Sequence, residues 1–376
     1  MKFDIFNAAS EIVSGASRDR PADQLLRELF KRNRNIAPFD ATEVSALVFA
    51  WFRWFGWLDR SKPVEQQLRQ ARDLAARFRR EPSSFSADEQ RAKAVPPWAL
   101  DAIAAEPAWF SALQQEPRLW LRARRGQGRV LAERLGHCRI AGDGALSDTL
   151  EYAGREDLFR TTEFHAGEFE LQDISSQAVG LICDPQPGET WWDACAGEGG
   201  KLLHLSDLMQ NKGLIWASDR AGWRLQKLKR RAARARAFNY RAELWDGGPK
   251  LPTRTKFNGI LVDAPCSGAG TWQRNPHARW TTSPQDVTEL GAIQLRLLQH
   301  VAGSLKPGGR LIYSVCTLTR QETTDVADGF EQQHPDFEPL SFSNPLNPKV
   351  AAISRQWLWP QECGGNGMFI AAWKRR

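Results

Sequence analysis

The stretch Thr190–Met209, TWWDACAGEGGKLLHLSDLM, joins a short apolar strand to a glycine-rich turn and then to leucines at helical spacing. The hydrophobic period changes from extended to helical within a few residues, as in a strand-turn-helix unit. Gly197, Gly199 and Gly200 permit a tight turn and let backbone amides approach a ligand, and the helix amino end that follows favours a carboxylate or phosphate. The spacing does not match G-x-x-x-x-G-K-S/T, so a nucleoside-triphosphate loop is not expected. A plain strand-to-helix turn remains the competing reading of the glycines taken alone.

The same alternation continues toward the carboxyl end. LIWASDR (214–220), GILVDAP (259–265) and GRLIYSVCT (309–317) read as strands, and WRLQKLKRRAARARA (223–237) and LGAIQLRLLQHVAGSL (290–305) as helices. Strands alternating with helices predict a doubly wound α/β sheet with crossover helices. In such a sheet ligands bind beyond the carboxyl ends of the strands, so the residues ending each strand are the candidates for chemistry.

Toward the amino end the pattern differs. ADQLLRELFKR (22–32) and EVSALVFAWFRWFGWLDR (43–60) repeat apolar residues at spacings of three and four, which predicts a small helical domain over 1–95. Trp51, Trp54 and Trp57 recur every three residues. Such a stripe is read as core in preference to a base-stacking platform. KRNRN (31–35) reads as a solvated helix end or a phosphate contact. The polar run EPSSFSADEQRAKAVPP (81–97) reads as a linker. RLWLRAR, GRVLAERL and GEFELQD predict a small mixed α/β module over 96–170, with the doubly wound domain over 171–376.

Bulk properties bound the function. The 376 residues suffice for two or three domains, and no apolar run reaches the roughly 18 residues that would span a bilayer. MKFDIFNAASEIVSG (1–15) lacks a signal peptide's continuous apolar stretch, so a cytoplasmic protein with no membrane association is expected. The net charge of +7 favours a polyanionic partner without requiring one. The six cysteines form no C-x-x-C pair, so no metal is expected and reduced thiols are.

Candidate site residues cluster at the expected strand ends. Asp219 closes LIWASD, Asp263 closes GILVD, and Asp246 lies in AELWDGG. A carboxylate there can accept both ribose hydroxyls of an adenosine moiety, and another its amino group, although a lone Asp is as often a cap or turn former. Cys266 and Cys316 each follow an expected strand and are flanked by turn and hydroxyl residues. Cys138 and Cys183 read instead as inert buried thiols.

From Gln172 onward the chain resembles the Sun/Nop family of RNA cytosine-5 methyltransferases. QDISSQ (172–177), DACAGEGGK (193–201), VDAPCSGAGTWQRNPHARW (262–280), LKPGGRLIYSVCT (305–317) and GMFIAAWK (367–374) stand in the family's order and approximate spacing. The resemblance implies a Rossmann-like class I methyltransferase domain, preceded by a helical NusB-like RNA-binding domain and a small RRM-like α/β module. It implies S-adenosylmethionine as cofactor, contacted by Cys195, Ala196, Gly197, Glu198, Gly199, Gly200, Lys201, Asp219, Asp246 and Asp263. The cysteine of the Tyr-Ser-x-Cys-Thr motif, Cys316, resembles the nucleophile, and that of Asp-Ala-Pro-Cys, Cys266, the residue that helps release the product. The chain departs from the family where Gly197-Glu198 replaces the common Ala-Pro, adding flexibility and a negative charge, and where Ala269 replaces a threonine.

The implied reaction explains the residue types. Carbon 5 of a pyrimidine is too electron-poor to take a methyl group unaided, and a thiolate added at carbon 6 makes it enamine-like. Asp263 is the nearest candidate for hydrogen bonding at ring nitrogen 3. Arg274 and Arg279 are candidate phosphate contacts. Small-subunit ribosomal RNA is the first expected partner and transfer RNA the second, with a monomeric protein. A DNA cytosine-5 enzyme using Cys266 as nucleophile, and a catalytically silent RNA-binding assembly factor, are the rival functions.

Overall fold

The computed structural model describes residues 3–376, so Met1 and Lys2, which open the segment read as lacking a signal peptide, lie outside the described residues. The chain gathers into two units, Met1–Pro117 with Ser267–Val287, and Arg118–Cys266 with Thr288–Arg376.

The first unit is helical. Its main helices are Ile5–Gly15, Ala22–Arg32, Pro38–Arg53 and Val64–Arg80. They close on a core containing Ala9, Val44, Val48, Leu68 and Ala71. Trp51 and Trp54 are buried in that core, and the half-buried Trp57 donates from Nε1 to Glu89 at 2.9 Å, so the stripe packs instead of facing solvent. The stretch read as a linker contains a helix, Ala87–Lys93, because Ser86 caps the amide of Glu89 at 3.1 Å and Phe85 is buried. Lys31, Arg32 and Arg34 are exposed.

The second unit holds two sheets. Strands β1 (Leu119–Ala123), β2 (Cys138–Ile140), β3 (Thr149–Tyr152) and β4 (Phe169–Leu171) form an antiparallel sheet in the order β2-β3-β1-β4. The larger sheet has β5 (Thr190–Asp193), β6 (Leu214–Asp219), β7 (Tyr240–Leu244), β8 (Phe257–Asp263) and β9 (Leu305–Val315) parallel, in the order β9-β8-β5-β6-β7. Three more strands extend the β9 edge: β10 (Phe337–Pro339), β11 (Arg355–Leu358) and β12 (Met368–Arg375), with β12 antiparallel to β9. Among the described residues no helix is long and apolar enough to cross a membrane.

Burial on both faces explains the near-continuous apolar strands. Trp191 packs into one core layer with Leu202 and Leu205, while Trp192, its neighbour in sequence, packs into the other with Val262 and Tyr313. Gly259 on β8 is needed because a Cβ there would come within 2.3 Å of the Trp191 ring. The chain runs outward from β5 through β6 to β7, then returns to place β8 on the other side of β5. That reversal makes the β5–β8 crevice the expected ligand position.

Candidate active site

Three loops meet at the carboxyl edge of the crevice. Asp263 ends β8, and the loop after it carries Cys266; Val315 ends β9 and Cys316 follows directly. The two sulfurs are 3.3 Å apart. Asp263 is held from two sides: Lys201 Nζ donates to Oδ2 at 2.6 Å, and Ser314 Oγ donates to Oδ1 at 2.8 Å. Burial alone would favour neutral Lys201, but the charge and hydrogen bond of Asp263 outweigh it and raise its pKa. The hydrogen bond from Cys266 lowers the Cys316 pKa, with Lys201 helping, against burial and the negative charges of Asp263 and Glu322.

Beneath both cysteine loops lies a buried polar network that motif spacing did not single out. Gln294 donates to the carbonyl of Pro265 at 2.9 Å and to Glu322 at 3.0 Å. Tyr313 donates to the Gln294 side chain at 2.9 Å and to the Glu322 carbonyl at 2.7 Å. Glu322 also accepts from Thr317 at 3.0 Å and Thr319 at 2.8 Å. The backbone before Cys266 and the residue after Cys316 are thus fastened to the same buried glutamate. The only sequence signal was the run of hydroxyl residues before Glu322 in CTLTRQE (316–322).

The glycine loop follows β5 and reaches Asp263 through Lys201. Gly197 (φ 53°) and Gly199 (φ 88°) are left-handed; a Cβ on Gly199 would strike Leu228 at 2.8 Å, whereas one on Gly197 would meet open space. Asp219 ends β6 and accepts the amides of Gly197 at 3.0 Å and Ala221 at 2.8 Å. Ala196 donates its amide to the Ser218 carbonyl at 2.8 Å, and burial, with Asp193 next, pushes the Cys195 thiol well up. Gly200 and Lys201 open the helix Gly200–Leu208. The charge of Glu198 is met by Lys227 at 2.7 Å. Asp246 lies two residues past β7, exposed, accepting the amide of Gly248 at 2.8 Å in its own turn. A carboxylate has about four lone-pair sites, so Asp219 keeps acceptor capacity beyond its two amides. With the open side of Gly197 and the helix amino end, these groups fit a cofactor bearing a ribose and an amino-acid tail.

Asp193 opens the glycine-loop segment and is a site residue that motif spacing does not single out. It ends β5 and is 1% exposed. Burial first, then the charge of Asp263, pushes its pKa up to about 8. Its strand-final position matches that of Asp219 and Asp263, which is the signal that could have found it.

Arg279 is corrected as a phosphate contact. It is fully buried in the helical unit, where its guanidinium donates to the carbonyls of Arg53 (3.4 Å), Ala94 (2.9 Å), Leu113 (3.0 Å) and Trp272 (3.1 Å). Arg274 is exposed. Cys183 is buried, with its thiol pushed up by burial; Cys138, read as equally buried, is half-exposed.

Probable ribosomal RNA small subunit methyltransferase B of Bacillus subtilis is 39% identical over 219 residues, 57% of this chain and 49% of that protein. The chain spans about half the length of the curated relatives it matches. The crystal structure of PH0851 superimposes with a TM-score of 0.80 over 100% of both chains at 20% identity, which speaks for the fold. A methyltransferase homolog from Pyrococcus horikoshii matches at TM-score 0.62 and 25% identity, over 78% of this chain and 99% of that one. The model of the 16S rRNA methyltransferase RsmB/F family matches residues 180–374, more than half of the sequence, and the chain belongs to that family.

Proposed function

We propose that this protein is an S-adenosylmethionine-dependent RNA cytosine-5 methyltransferase acting on small-subunit ribosomal RNA, with Cys316 as the covalent nucleophile. The observation that carries this is the 3.3 Å approach of Cys316 to Cys266 beside the Lys201–Asp263 pair. The names of the relatives support the substrate. Residues 1–95 are assigned to RNA binding, 96–170 to a small RRM-like α/β module and 171–376 to chemistry.

In this mechanism the target cytosine leaves its stack, since a stacked ring hides carbon 6. The Cys316 thiolate adds to carbon 6, and electron density moves toward carbon 5. Asp263 orients the base through its amino edge and nitrogen 3, and Lys201 is the adjacent donor. When bound, S-adenosylmethionine supplies the methyl group to carbon 5. Cys266 then assists removal of the proton from carbon 5, the carbon–sulfur bond at carbon 6 breaks, and Cys316 leaves as thiolate. Cys195 to Lys201, Asp219 and Asp246 are assigned to holding the cofactor.

Bisulfite sequencing of total RNA from cells with and without the gene, complemented by wild type or Cys316→Ala, tests the proposal. One small-subunit cytosine protected only with wild type is expected. Protection lost from a transfer RNA would move the substrate, and unchanged protection everywhere would favour a silent RNA-binding factor.

A further inference from the structure

Position 198 of the glycine loop is a glutamate between two glycines, so the backbone there keeps a torsion that a proline would fix. The helix Gly222–Arg234 supplies restraints from outside the loop. Lys227 pairs with the Glu198 carboxylate at 2.7 Å, and Arg231 Nη1 donates to the Glu198 carbonyl at 3.1 Å. The remaining guanidinium nitrogens of Arg231, Nε at 3.2 Å and Nη2 at 2.8 Å, bind one oxygen of Glu170. Glu170 lies on β4 of the small sheet, its side chain only 5% exposed, and also accepts from Arg234.

The two restraints differ in strength. The Lys227–Glu198 pair is half exposed, so solvent and salt screen it. Arg231 works against a buried carboxylate, and its planar fork occupies two directions on Glu170 while the third points at the loop. A lysine could bind one of these partners as a point charge but not hold both in this geometry.

We propose that Arg231 is a positioning residue for the cofactor loop, fixing the Glu198 backbone against Glu170 of the small sheet and so making cofactor affinity depend on that sheet. The proposal rests on the reading of Cys195–Lys201 as the S-adenosylmethionine loop. Arg231 touches neither cofactor nor base; it acts by holding the loop in its binding shape before the cofactor arrives.

The test is calorimetric titration of S-adenosylmethionine into the purified full chain without RNA, for wild type, Arg231→Lys, Glu170→Gln and the double variant, with amide hydrogen exchange over residues 195–201. Each single variant is expected to weaken binding about fivefold, the scale of the net contribution of one ordinary hydrogen bond, and to speed exchange in the loop. The double variant is expected to weaken it no further, because both break one connection. In turnover, the loss in kcat/KM is carried by KM for the cofactor. Unchanged affinity and exchange in Arg231→Lys, or additive losses in the double variant, would overturn the proposal. Should a variant melt below assay temperature, Arg231→Gln with loop exchange alone decides the point. Absence of binding by wild type would instead remove the cofactor-loop reading on which the proposal stands.

Discussion

The Cys266 and Cys316 sulfurs are 3.3 Å apart although the residues are fifty positions apart in sequence, and the contact with Cys266 is the largest cause lowering the Cys316 pKa from the ordinary 9.0. A lowered value means that thiolate persists to lower pH. The pH profile of Cys316 alkylation, followed by peptide mass spectrometry, is expected to have its midpoint below 9.0 in wild type and to move upward in Cys266→Ala. An unmoved midpoint would remove Cys266 as the stabilising partner.

Asp193 carries a second pH dependence. Its folded pKa, about 8, lies above the ordinary 3.8, so the folded protein holds a proton that the unfolded chain releases. This contribution is fully present below the lower value and is lost as pH rises toward the upper one. Asp193→Asn cannot ionise, so its melting temperature relative to wild type is expected to climb between pH 4 and pH 8, within the window those two values set. A constant difference across that range in thermal melts would show that Asp193 stays ionised when folded.

Arg279 yields a contrast between stability and RNA binding. Its guanidinium is fully buried and serves four backbone carbonyls, with burial and the nearby Arg53 pushing its pKa down to about 9. Arg279→Ala leaves buried acceptors unpaired, each costing roughly 1–3 kcal/mol, so denaturant melts are expected to show a loss of about 3 kcal/mol or more. The slope of RNA affinity against salt is expected to stay at its wild-type value, whereas a phosphate contact would lower it by about 0.7–0.9.

The sheet was legible because parallel strands buried on both faces leave apolar runs such as WW at 191–192 and ILV at 260–262, each closed by an aspartate. The same alternation brings Cys266 and Cys316 to one edge of the sheet. Other features leave no local pattern. The Glu322–Gln294–Tyr313 network joins residues from separate elements, and its meaning is burial, which spacing along the chain does not encode. Arg279 was misread because a buried arginine without a carboxylate partner runs against the usual exposure of charge. The helix Ala87–Lys93 hid in polar composition, though Ser86 and Glu89 have capping-box spacing.

In the proposed reaction Cys316 bonds to the base and Cys266 releases it. The direct measurement is to incubate wild type, Cys316→Ala and Cys266→Ala with S-adenosylmethionine and small-subunit ribosomal RNA bearing 5-fluorocytidine. Because fluorine at carbon 5 blocks the elimination, any covalent complex persists, and the cross-linked peptide can be identified by mass spectrometry. A denaturant-stable adduct on Cys316, formed by wild type and Cys266→Ala and absent from Cys316→Ala, is predicted; an adduct on Cys266, or none on either cysteine, would contradict it.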